Sequence, residues 1–120
     1  MLAAKGSEHS HQAALFCWAA ENVGTYPQLK KMFAIPNGGV RNKKTGAMLK
    51  TEGVKAGVPD IFLPVARHGV HGLFIELKKP GGKSSDSQDA WITALHEEGY
   101  GAALCVGWTT ARDMLIRYLS

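Results

Sequence analysis

Two apolar runs in this 120-residue chain carry charges where a buried strand should carry none, and no other feature restricts its fold as much. They lie in the stretch Gly57–Lys79, GVPDIFLPVARHGVHGLFIELKK. Asp60 opens the first run directly after Pro59, and Glu76 and Lys78 interrupt the second, Phe74-Ile75-Glu76-Leu77-Lys78. Side chains alternate faces along a strand, so Glu76 and Lys78 share one side while Ile75 and Leu77 share the other. Residues 67–72 form a connection of hairpin length. An antiparallel pair joined there brings the Asp60 end of one strand beside the Lys78 end of the other. An Asp, a Glu and a Lys then meet at one place on a sheet. Buried charges are costly unless paired or bound to a metal, which marks the cluster as a candidate site.

The rest of the chain reads as elements that surround this hairpin. Ser7 followed by Glu8 is a helix start, and Glu8, Gln12, Leu15, Ala19 and Val23 recur at helical spacing as one stripe. Gly24 and Pro27 stop that helix. Leu29–Pro36 reads as a first strand, Asn37-Gly38-Gly39 as a turn, and residues 41–52 as a polar, partly helical, exposed segment ending at Gly53. The strands Asp60–Val65 and Leu73–Lys78 follow, then a loop from Pro80 to Ser85. Ser85 or Ser87 caps a helix with Trp91, Ile92, Ala94 and Leu95 on its buried side, ended by Gly99. Ala102–Val106 reads as a strand covered on both faces, and Thr109 as the cap of a last helix through Leu119. The expected fold is a single α/β domain over residues 1–120, with a central mixed β-sheet flanked by helices.

Composition narrows the function. Apolar residues make up 45% and charged residues 20%, an ordinary globular balance. Cys17 and Cys105 sit in apolar contexts and read as reduced core residues. The N-terminal residues hold no apolar run of signal-peptide length and nothing approaches a membrane span, so a soluble cytoplasmic protein is expected. Seven Lys and Arg residues face the single acid Glu52 between Lys30 and Lys55, a local excess of +6 over 26 residues. Such a run is either a solvated basic face or the footprint of a polyanion partner. Arg41, Lys43, Lys44, Lys50 and Lys55 are its candidate nucleic-acid contacts. A GxxxxGK[ST] phosphate loop is absent, which speaks against an NTPase. His68 and His71 have zinc-like spacing but no second ligand pair, and read as loop residues. His9 and His11 read as surface residues beside the first helix's stripe.

The residue types in the hairpin suit phosphodiester hydrolysis. That reaction needs an activated water and neutralisation of the charge that builds on phosphorus, and hard divalent cations on oxygen ligands provide both. Asp60 and Glu76 offer two carboxylates, with the backbone carbonyl of Leu77 beside them. Lys78, on the same face, can orient a water or hold a phosphate. Gln88 can bond a metal-bound water or a phosphate from the first turn of its helix, or can complete a Ser-x-x-Gln box with Ser85.

Pro59-Asp60 followed by Glu76-Leu77-Lys78 resembles the PD-(D/E)xK pattern of the restriction-endonuclease-like superfamily. Within it the chain is most similar to the VRR-NUC family, from Glu8 to Trp108. The matching residues include Glu8 and Gln12, Pro36-Asn37-Gly38-Gly39, Gly53 to Asp60, and Ser87-Gln88-Asp89-Ala90-Trp91. The Val-Arg-Arg tripeptide that names the family does not occur. The resemblance implies a restriction-endonuclease-like core and a Mg²⁺ or Mn²⁺ site of Asp60, Glu76 and the Leu77 carbonyl, with Glu8 contributing. It also implies Lys78 as the catalytic lysine and Gln88 as an accessory active-site residue. The expected protein is a metal-dependent DNA endonuclease acting on branched or Holliday-junction DNA as a homodimer. The alternative is a non-catalytic DNA-binding module on a nuclease-like fold.

Overall fold

The computed structural model describes residues 6–36 and 46–120. Helix α1 spans Glu8–Glu21, and the Ser7 side chain caps it by accepting the Ser10 N–H at 3.1 Å. A 3-10 turn at Pro27–Lys31 replaces the first half of the expected strand, leaving the two-residue β1, Phe33–Ala34. Pro27 fixes the φ that starts a helical turn, which is why the apolar run begins helically rather than extended. Helix α2 (Gly46–Thr51), strands β2 (Ile61–Leu63) and β3 (Leu73–Lys78), helix α3 (Asp86–Glu97), strand β4 (Gly101–Val106) and helix α4 (Trp108–Leu119) complete the chain.

The four strands form one sheet in the order β1-β2-β3-β4. β1 and β3 pair antiparallel with β2, and β4 runs parallel to β3 after the α3 crossover. The hairpin between β2 and β3 turns at His68 (φ 54°) and Gly69 (φ 80°), two successive left-handed residues as a tight hairpin turn requires. His68 Nε2 bonds the Tyr118 carbonyl at 2.9 Å, whereas His71 packs edge-on against Tyr100. The two histidines thus fasten the hairpin to different elements.

One sheet face carries Ile61, Leu63, Leu73, Ile75, Leu77 and Cys105, which pack with Leu15 and Ala19 of α1 and Ala111, Leu115 and Tyr118 of α4. Each fully buried Leu or Ile here contributes about 1.5–3 kcal/mol. The opposite face carries Asp60, Phe62, Phe74, Glu76 and Lys78, and α3 packs along β4.

Three expectations are corrected. Cys17 is exposed on α1 instead of buried; both cysteines are free. No residue of α3 is fully buried, because the helix lies along an edge strand and Trp91, Ile92 and Leu95 are covered on one side only. Helix α4 begins one residue before Thr109, with Gly107 at its cap position and no capping side chain of its own. Among the described residues no helix is long and apolar enough to cross a membrane.

Candidate active site

The β2–β3 register places Ile61 opposite Ile75, so Asp60 stands opposite Glu76 one row further and Pro59 opposite Leu77. Within an antiparallel pair the backbone groups of alternate residues face alternate neighbours. The Asp60 carbonyl accepts the Ile35 N–H at 2.7 Å on the β1 side, and the Lys78 carbonyl accepts the Gly107 N–H at 2.7 Å on the β4 side. Leu77 therefore faces β2, where Pro59 has no N–H to give the Leu77 carbonyl. The Leu77 N–H donates to Asp60 Oδ2, at 3.0 Å. Its carbonyl points to the same edge, opposite the proline. The Pro-Asp pair thus ends the ladder and fixes the carboxylate at the point where it ends.

Glu76 is only 2% exposed, and Lys78 only 7%. Glu76 Oε2 accepts Gln88 Nε2 at 3.0 Å and lies 3.7 Å from Lys78 Nζ. Glu76 Oε1 is buried and has no hydrogen-bond partner. Burial, then the neighbouring Asp60 carboxyl, push the Glu76 carboxyl up to about 8, against the opposing pull of Lys78. Two adjacent carboxyl groups, one of them buried, repel as anions, and a hard divalent cation on oxygen ligands removes that repulsion. The orphaned Oε1, the adjacent Asp60 and the Leu77 carbonyl opposite Pro59 fit such an ion.

Glu8 reaches the site from the first turn of α1, its Oε2 3.8 Å from Lys78 Nζ. Among the described residues no three His, Cys, Asp or Glu side chains gather as a metal cluster, and Glu8 pairs with Lys78 beside the two acids. Gln88 performs both roles open to it in the sequence. Its Oε1 accepts the Ser85 N–H at 2.8 Å and its backbone N–H reaches Ser85 Oγ at 3.2 Å, closing a capping box. With Oε1 committed to the box, the amide NH₂ is directed at Glu76. The loop before Pro59 holds this arrangement: Gly57 has φ +90°, and a Cβ there would sit 2.7 Å from the Ser87 backbone. Only glycine allows both the left-handed backbone and that approach.

The stripe on α1 runs through His11 rather than Gln12. His11 is 2% exposed, and its Nδ1 accepts the Trp108 N–H at 3.1 Å, capping α4 from across the core. The reading of His11 as a surface residue is therefore corrected. Its spacing of three from Glu8 and four from Leu15 carried the signal. Of the expected nucleic-acid contacts, Lys50 is exposed on α2 and Lys55 is exposed on the loop five residues before Asp60. Arg41, Lys43 and Lys44 lie outside the described residues, as does the Asn37-Gly38-Gly39 turn.

The VRR-NUC domain family model matches residues 7–108 of the chain. A solved structure described as a VRR_NUC domain protein is similar at a TM-score of 0.81 and 28% identity, over 95% of this chain and 88% of that one. A comparison with curated proteins gives no significant match.

Proposed function

The chain belongs to the VRR-NUC domain family, a nuclease domain of the restriction-endonuclease-like fold, and on that footing we propose that it is a Mg²⁺- or Mn²⁺-dependent DNA endonuclease. The observation that carries the proposal is the meeting on one sheet face of Asp60, Lys78 and a Glu76 carboxyl whose Oε1 is unpartnered. Asp60, Glu76 and the Leu77 carbonyl would hold the ion, with Glu8 contributing from α1. When bound, it supplies charge neutralisation and an acidified water.

The chain's own groups provide the rest. Lys78, kept nearly dry between Glu76 and Glu8, presents an ammonium where a phosphate oxygen or an attacking water lies. Gln88 holds Glu76 in one orientation, so the carboxylate need not reorganise during the reaction. The N-terminus of α3 lies beside the acids, and its backbone dipole favours an anion there. Lys50 and Lys55 supply phosphate contacts that carry no sequence information. The proposed substrate is accordingly a DNA shape, branched or junction DNA, cut by a homodimer. Light scattering tests the dimer, and a fully active monomer would refute it.

The nuclease itself is tested by cleavage of labelled junction, flap and linear DNA in Mg²⁺, Mn²⁺ or chelator. Wild type should cut only with metal, and Asp60→Ala and Lys78→Ala should lose cleavage by at least about 100-fold. Cleavage in chelator or by Asp60→Ala would defeat the mechanism. DNA binding with no cleavage under any condition would favour the non-catalytic module.

A further inference from the structure

The sheet face that carries the acids also carries a row of aromatic rings. Phe62 stacks on Phe74 with centroids 4.1 Å apart, Phe74 meets Tyr100 edge-on at 5.4 Å, and Phe33 meets Phe62 edge-on at 5.8 Å. Phe62 lies two residues beyond Asp60 and Phe74 two residues before Glu76, so this row begins about 7 Å from the acids. Phe62, Phe74 and Tyr100 are half-buried against one another. Phe33, at the β1 end away from α3, is 47% exposed. From strand rise and spacing its Cα lies on the order of 8 Å from that of Asp60.

A single exposed phenylalanine is ordinary. Its setting here is not. Lys30 and Lys31, both exposed, end the turn that leads into β1, and exposed Lys55 leads into Asp60. Cations interleaved with an aromatic surface are how proteins hold a single nucleic-acid strand: the cations follow the phosphates and the rings stack on unpaired bases. A paired base inside a duplex offers no such face. Phe62, set edge-on behind Phe33, fixes the ring so that its solvent side stays open to a base.

We propose that Phe33, backed by Phe62, is a stacking platform for an unpaired base next to the phosphate that Lys78 and an ion on Asp60 and Glu76 would hold. The preferred substrate then carries unpaired nucleotides at the cut, as a flap, a splayed end or an opened junction does, rather than uninterrupted duplex. This rests on the nuclease reading of the acidic site.

The test is binding, in chelator so that nothing is cut, of a flap DNA with 2-aminopurine in its unpaired arm and of a duplex of equal length. Wild type should quench the 2-aminopurine. Phe33→Ala and Phe33→Leu should lose the quench and bind the flap about 5- to 100-fold more weakly, with duplex affinity unchanged within about two-fold. Phe33→Trp should restore both. Unchanged flap affinity, equal weakening on flap and duplex, or absence of DNA binding by wild type overturns the proposal. So does a lower mass for Phe33→Ala by light scattering, which would assign the face to a second copy of the chain. Cleavage is scored separately with Mg²⁺: wild type that quenches but never cuts removes the nuclease reading and leaves Phe33 as a base-binding residue.

Discussion

Gln88 Nε2 donates to Glu76 Oε2 across 3.0 Å while Oε1 of the same amide accepts the Ser85 N–H. One side chain thus terminates a helix and orients an active-site acid. Gln88→Ala should lower stability by about 1–2 kcal/mol, from the lost cap and the lost partner of a buried carboxyl. Gln88→Glu keeps an acceptor for Ser85 but places a further carboxylate beside Glu76. Its metal-free protein should melt below wild type, and Mg²⁺ should recover more of the difference than in Gln88→Ala. Thermal melts with and without Mg²⁺ read both effects.

The proton on Glu76 gives a pH dependence of defined sign. With the folded carboxyl raised from 4.5 to about 8, the folded state binds more protons than the unfolded state between those values. Stability from this group is therefore complete below about 4.5 and falls as pH rises towards about 8. Metal-free wild type should lose stability relative to Glu76→Gln across that window, since the amide mimics the protonated acid and does not titrate. Urea midpoints at pH 5 and pH 8 for both proteins measure the difference. Parallel pH profiles would refute the raised carboxyl of buried Glu76.

Gly57→Ala should cost about 1–3 kcal/mol or more, because its Cβ would meet the Ser87 backbone at 2.7 Å and its φ is +90°. Gly69→Ala, at φ +80° with open space around it, isolates the backbone term alone and should cost about 1 kcal/mol. The excess at Gly57, read from chemical denaturation, measures the close approach that keeps Gln88 over Glu76.

His11→Ala should destabilise by about 1–3 kcal/mol, leaving the Trp108 N–H buried without its acceptor. His9→Ala, two residues away and exposed, should stay within about 0.5 kcal/mol of wild type. Equal effects would contradict the cap that joins α1 to α4.

These contrasts also locate what the sequence made legible. The strand Leu73–Lys78 and a serine cap at Ser85 or Ser87 were readable because alternation and capping are local patterns, and the cap is Ser85. The meeting of Asp60 with Glu76 followed from a short hairpin connection, which leaves few possible registers. The spacing of His11 from Glu8 and Leu15 signalled its place on the buried stripe, but its role was not readable, since its partner Trp108 lies 97 residues away. The Leu77 N–H bond to Asp60 escaped for a related reason: it joins residues 17 apart through a side chain rather than through the backbone ladder. The buried side of α3 was over-read, because amphipathic spacing gives the direction of a helix face but not how much of it is covered.

The nuclease reading of this chain turns on whether Asp60 and Glu76 share a divalent cation. Calorimetric titration of Mn²⁺ at pH 7 in two buffers of different ionisation enthalpy measures binding and proton release together. Wild type should bind Mn²⁺ and release a proton as Glu76 ionises, while Asp60→Asn and Glu76→Gln should each bind at least about ten-fold more weakly. Equal Mn²⁺ affinity in wild type and both variants would place the ion elsewhere and contradict the site.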